Sequence, residues 1–246
     1  MDSFDPAPSP PPALPPTDQT QNQRSAGTGP RFRGCLIEVV ETLVLTLIIY
    51  FVIETFIAEP RQILQFSMEP TLEQGQYVLV DKLSPHFSDY KRGDVIVFKA
   101  PAGYTINGQD AFIKRVIGVP GDVVELKCVD PTCARHAVYV NGVKLNEPYV
   151  ALGNSTDPSP QTGLARWVVP NDHLFVMGDH RAESEDSRAF GTIPKSSVIG
   201  RAWLRYWPFG KFGVIQSATY PGVPDHPSPA LLNQAPSPSL SPLPAR

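Results

Sequence analysis

The sequence predicts a mainly β fold, built from antiparallel sheet, behind a single N-terminal membrane-spanning helix. Three observations carry that prediction. An apolar run lies near the N-terminus, the chain beyond it breaks into short strand-like runs punctuated by Gly, Pro, Asn and Asp, and no long amphipathic helix competes with them.

Residues 1–34 are rich in Pro, Ser, Gln and Asn and read as a disordered tail that cannot bury enough apolar surface to order itself. From Cys35 to Ala58 the chain is apolar for long enough to cross a bilayer, since 24 residues rising about 1.5 Å each span roughly 36 Å. Its acids, Glu38, Glu41 and Glu54, sit toward the ends, where a carboxylate costs least. A cleavable leader is the competing reading, but about thirty residues precede the run, Glu59-Pro60 follows it, and no small-x-small exit is evident. Arg24, Arg31 and Arg33 precede the span and Arg61 alone closely follows it, which places the N-terminus in the cytoplasm and the larger portion outside.

Residues 59–218 read as the folded domain. Strands are expected at 77–81, 94–99, 112–119, 122–127, 137–140, 143–145, 174–177 and 198–206. Asn141-Gly142 between two β-branched runs signals a type I′ hairpin. Cys128 and Cys133 flank Val-Asp-Pro-Thr and read as a small disulfide loop in an exported region, with a reduced, inert pair as the alternative. Residues 219–246 again read as a Pro-rich disordered tail. A net charge of −3 over 246 residues gives no basic excess for nucleic acid, and no pattern points to a cofactor, a phosphate loop or a metal.

The chemistry concentrates at two residues. Ser67 opens Ser-Met-Glu-Pro-Thr-Leu just after the apolar run, and Lys114 lies in Phe-Ile-Lys-Arg-Val-Ile-Gly, sharing a strand face with Phe112 and Val116. A serine hydroxyl needs a base, and a lysine serves as one when apolar burial keeps its amine neutral near pH 7.

These segments, together with Pro120-Gly121-Asp122 and the block Gly178-Asp-His-Arg-Ala-Glu-Ser-Glu-Asp-Ser-Arg-Ala-Phe-Gly191, resemble in content and order those of the bacterial type I signal peptidases, the Ser/Lys proteases of family S26. The resemblance covers roughly residues 35–215. It implies an antiparallel catalytic core with a variable insert at about 128–172, a plasma-membrane location, and cleavage of signal peptides from exported preproteins beside the lipid bilayer and the secretion translocon. In those terms Ser67 is the nucleophile, Lys114 the general base and Ser184 the residue that orients the amine, with Ser187 as the alternative. Asp179, Arg181, Asp186 and Arg188 match the family's charged support. Ile63, Phe66, Met68 and Ile113 are the expected walls of shallow pockets selecting Ala-x-Ala sites.

The chain departs from the family where Leu64-Gln65-Phe66 replaces the common Pro-Ser-Gly before the nucleophile, so that Gln65 stands where a serine supplies an oxyanion donor. Phe112 replaces a common Tyr and His180 a common Asn. Other readings are a triad using His180 or His173, a repressor-type self-cleaving peptidase, and a degenerate anchored β-domain serving as a scaffold in export.

Overall fold

The computed structural model describes residues 31–104, 110–151 and 153–233. Residues 1–30 of the expected N-terminal tail and 234–246 of the expected C-terminal tail therefore lie outside the described residues. The chain divides into two units, Met1–Thr46 and Leu47–Arg246.

Helix α1 covers Arg31–Val52 and continues as a wider π turn over Ile53–Ile57. It starts four residues before the expected boundary, and strand β1 (Ala58–Gln62) takes over where the span was expected to end. Ile37–Ile57 is long and apolar enough to cross a membrane, and none of its most apolar window is buried. Two polar side chains inside it are satisfied locally, Thr42 Oγ1 donating to the Glu38 carbonyl at 2.8 Å and Thr46 Oγ1 to that of Thr42 at 2.7 Å.

Beyond the helix the regular structure of the described residues is mostly antiparallel sheet, as expected. The strands are β2 (Tyr77–Asp81), β3 (Val95–Lys99), β4 (Ala111–Gly118), β5 (Val123–Cys128), β6 (His136–Val140), β7 (Val143–Lys144), β8 (Arg166–Val168), β9 (His173–Met177), β10 (Ile193–Pro194), β11 (Val198–Trp207) and β12 (Gly213–Val214). The larger sheet runs β1-β2-β11-β3-β4-β9-β10, with β12 on β11; the smaller runs β7-β6-β5-β8. Each anticipated strand forms, within a residue or two. Asn141 and Gly142 turn β6 into β7 with φ of 52° and 84°, and the buried Asn141 side chain accepts from Val123 N–H and donates to Asp122.

Three apolar clusters fill the domain. One joins the smaller sheet to β4 and β9 through Ile117, Val124, Val140, Trp167 and Phe175. A second gathers Ile63, Met68, Leu72, Val78, Val95 and Ala202 beneath the Ser67 segment, and the third gathers Phe98, Phe112, Val116, Val176 and Ile193 on the other side of β4. β4 thus runs between cores, which is why six of its residues, Lys114 and Arg115 among them, are buried.

The smaller sheet begins at Val123, ahead of residue 128, where the insert is expected to start. The C-terminal tail was expected from residue 219, yet Tyr220 and Val223 lie against the first cluster. The Pro224 carbonyl accepts from Asn141 at 2.9 Å and from Arg92 at 3.1 Å. Composition misleads there because proline leaves the backbone carbonyl free to accept even as it removes a donor.

Candidate active site

The segment from Ile63 to Gln76 is a loop closed at its base, Ile63 N–H donating to the Gln76 carbonyl and Gly75 N–H to that of Ile63, both at 2.8 Å. Met68 and Leu72 point into the second core cluster and are fully buried, which fixes the turn that carries Ser67. A further clamp comes from the stretch after β9, where His180 N–H donates to the Ser67 carbonyl at 3.0 Å. Gly178 lies at the closest approach. A Cβ there would sit 2.4 Å from Ser67 O and 2.3 Å from Ser184 Oγ.

Lys114 reaches Ser67 from β4: its Nζ lies 2.6 Å from Ser67 Oγ, with both residues buried. The amine is 5.2 Å from the Phe112 ring centroid. Its pKa is pushed down to about 8, chiefly by burial, with Arg188 helping and Asp186, Glu185 and Asp179 opposing. The hydroxyl thus faces an amine that gives up its proton close to neutrality.

Around this pair stands a buried ionic frame. Asp179 receives Arg115 Nε at 2.8 Å and Nη2 at 2.7 Å, and Thr71 Oγ1 at 2.5 Å, so one carboxylate joins β4 to the serine loop. Asp186 accepts from Ser184 Oγ at 2.8 Å, from Gly178 N–H at 3.1 Å and from Arg188 Nε at 2.8 Å. Burial alone would raise that carboxyl, but Arg188 and these donors hold it below its usual range. Arg181 is spanned by Glu147 and also donates to the Gly178 carbonyl at 3.0 Å. Removing Asp179 would leave Arg115 buried and unpaired. Asp179→Ala is therefore expected to cost about 3–5 kcal/mol, read as a lowered urea midpoint of the full chain in detergent.

Two clefts meet at Leu64, Gln65 and Phe112. One, of about 810 Å³, holds Ser67, Phe66 and Ser184 and is walled by residues 155–161. The other, of about 700 Å³, runs between Arg61–Gln65 and Asp110–Ile113 over Val78, Val97 and Ile199. Of the expected pocket residues, Phe66 faces the first cleft and Ile63 and Ile113 the second. Met68 lines neither; it belongs to the core, because the turn after Ser67 aims it inward. Ser184 directs its hydroxyl to Asp186, and among the described residues no hydrogen bond joins it to Lys114. Ser187 is committed elsewhere, accepting from Val176 N–H at 2.9 Å. The His173 imidazole lies 2.9 Å from the Asn171 carbonyl, and neither it nor that of His180 is bonded to Ser67 Oγ among the described residues.

Sequence reasoning missed Arg115, Thr71, Glu147 and Gly178. Nothing local to Arg115 marks its role, because the carboxylate that pairs with it, Asp179, lies 64 residues further along the chain.

The family model described as signal peptidase, peptidase S26, matches residues 36–207. The chain belongs to this signal peptidase family. Signal peptidase I of Leptolyngbya laminosa is 38% identical over 201 residues, covering 80% of this chain and 93% of its own. Signal peptidase IB of Staphylococcus aureus (strain Mu50) is 34% identical over 189 residues, covering 72% and 92%. A solved signal peptidase I of Enterococcus faecalis shares 30% identity across 46% of this chain and 97% of its own, with a TM-score of 0.35. The chain is thus a serine peptidase of this family behind an apolar helix suited to anchor it in a membrane.

Proposed function

We propose that the protein cleaves N-terminal signal peptides from exported preproteins through an acyl-enzyme on Ser67, with Lys114 as general base. The observation that carries this reading is the 2.6 Å contact between Lys114 Nζ and Ser67 Oγ, buried among apolar neighbours. Neutral Lys114 takes the hydroxyl proton as Oγ attacks the scissile carbonyl, then returns it to the leaving amine; water releases the acyl group by the same path in reverse. The Ser67 N–H, with Gln65 beside it at the cleft junction, would donate to the developing oxyanion. Ser184 acts on the amine through Asp186, which it holds by hydrogen bond.

The substrate would lie extended in the second cleft. β4 pairs with β9 only from Arg115 onward, so Ala111–Lys114 keeps one edge outside the ladder, and β1 pairs with β2 alone. Main-chain pairing to both edges would bind a peptide with little sequence demand, while Ile63 and Ile113 favour small alkyl side chains of the Ala-x-Ala kind. Arg24, Arg31 and Arg33, ahead of the apolar span, would put the N-terminus in the cytoplasm and the domain on the outer face of the plasma membrane, where the translocon delivers substrate.

The test is cleavage of a preprotein bearing an Ala-x-Ala site by detergent-solubilised full chain. Wild type should cut at that site, and Ser67→Ala and Lys114→Ala should each lose at least about a thousandfold in rate. Folded wild type that cuts no preprotein, or a Ser67→Ala variant that still does, would remove the reading.

A further inference from the structure

The hairpin tip between β5 and β6 assembles two sulfurs and an imidazole that the peptidase reading does not use. Cys128 ends β5, His136 opens β6, and the two are partners in the ladder. Cys133 lies between them, disulfide-bonded to Cys128 with Cα atoms 4.8 Å apart. His136 Nε2 is 3.8 Å from Cys128 Sγ and 3.4 Å from Cys133 Sγ. Across the ring, Nδ1 is 2.8 Å from Asp157 Oδ1. An ionised carboxylate only accepts, so Nδ1 carries a ring hydrogen, and in the neutral imidazole Nε2 turns its lone pair toward the sulfurs. Disulfide sulfurs have no hydrogen to offer it.

We propose that the reduced hairpin binds a borderline-soft divalent cation of the zinc class through Cys128, Cys133 and His136, with Asp157 orienting the imidazole. In a tetrahedral zinc site, bonds of about 2.3 Å to sulfur and about 2.0 Å to nitrogen put those atoms roughly 3.5 Å apart, between the two distances seen here. Carboxylate, imidazole and metal in sequence is the arrangement that fixes a histidine ligand's tautomer and raises its basicity. Both cysteines are exposed, which gives the ion a way in and leaves a fourth position to water. A sulfur and nitrogen donor set selects zinc over magnesium or calcium.

The disulfide and metal forms exclude one another. A dithiol or phosphine reductant supplies two electrons, the S–S bond breaks, and two protons complete the thiols while the reductant is oxidised. Metal binding then releases both protons to solvent and leaves two thiolates on the ion. The spacing Cys-x4-Cys-x2-His does not by itself mark a metal site; the ladder and Asp157, 21 residues on, bring the set together. This inference stands apart from the peptidase reading.

The test uses the full chain in detergent, reduced anaerobically, freed of reductant and titrated with Co2+ and then Zn2+. Reduced wild type should take up one Co2+ with a thiolate-to-cobalt charge-transfer band and visible bands of tetrahedral intensity, all displaced by one equivalent of Zn2+. The oxidised chain should show none of this. Affinity should fall at least tenfold in His136→Ala and Cys133→Ser, and about 10–100-fold in Asp157→Asn, with unchanged far-ultraviolet circular dichroism. Cys35 is kept in every variant, so a band that persists in a Cys128→Ser/Cys133→Ser double variant arises there. That result, or reduced wild type without the band, overturns the proposal.

Discussion

A Lys114→Arg variant is expected to be folded and inactive at every pH, because a guanidinium cannot surrender its proton to the Ser67 hydroxyl. Wild-type kcat/KM should instead rise with pH to a plateau, with an apparent midpoint near the Lys114 value of about 8. At pH 7 only about a tenth of the molecules then carry the neutral amine. The same shift has a consequence for stability with a definite sign. Lys114 binds a proton less readily in the folded chain than in the unfolded one, where its pKa is near 10.5. Between those values the unfolded chain holds more protons, so stability rises with pH and is lost as pH falls through about 8. At neutral pH the buried ammonium therefore costs the fold on the order of 3 kcal/mol, at about 1.4 kcal/mol per unit. Lys114→Met should accordingly be inactive yet more stable than wild type at pH 7, with the advantage shrinking as pH approaches 10.5. Urea midpoints of both proteins at pH 7 and pH 10 check this. A Met variant less stable than wild type at pH 7 would mean that the amine is held charged by Asp186 and Glu185, and an active Arg variant would end the general-base assignment.

Much of this arrangement is readable before any coordinates. The alternation around Lys114 and the Asn141-Gly142 turn are local signals, and local signals place most strands and pick out the two segments that the fold brings into contact at Ser67 and Lys114. What fails depends on partners distant in sequence. β8, β10 and β12 are two or three residues long and exist because a neighbouring strand offers a ladder, so no periodicity marks them. β1 carries Glu, Pro and Arg, and its strand state comes from the register with β2. Met68 was read as a pocket wall by adjacency to the nucleophile; the direction of one turn decides its place, and that direction is set by packing onto Leu72 and Val78. The resemblance implies a supporting role for the charged residues of the third block but says nothing of their pairing. Asp179 goes to Arg115 and Arg181 to Glu147, each across a different element. The sequence shows that charges must be matched inside, and only the fold shows with which partner.

Gly178→Ala is the second large expected effect, and it tests the support around the dyad without touching either member. Gly178 has no need of a left-handed backbone; it is small because two groups occupy the space a Cβ would take, the Ser67 carbonyl and the Ser184 side chain. Ser184 can rotate, but the carbonyl belongs to a loop tied at its base by Ile63 and Gln76 and at its centre by His180 N–H. An added methyl must therefore push the loop away from residues 178–180, lengthening the 3.0 Å bond to His180 and drawing Ser67 Oγ away from Lys114. Displacement of a reacting group by about 1 Å costs on the order of a hundredfold in rate, and overpacking costs about 1–3 kcal/mol in stability. Preprotein cleavage by the variant should thus fall at least about a hundredfold in kcat, with KM little changed, since the second cleft lies on the far side of Leu64 and Gln65. Adding Ser184→Gly removes one of the two clashes and should restore little, because the carbonyl clash remains. Wild-type kcat in the single variant would show that the loop has room to spare; full rescue by the second substitution would show that Ser184 alone, and not the clamp on the Ser67 carbonyl, holds the nucleophile against its base.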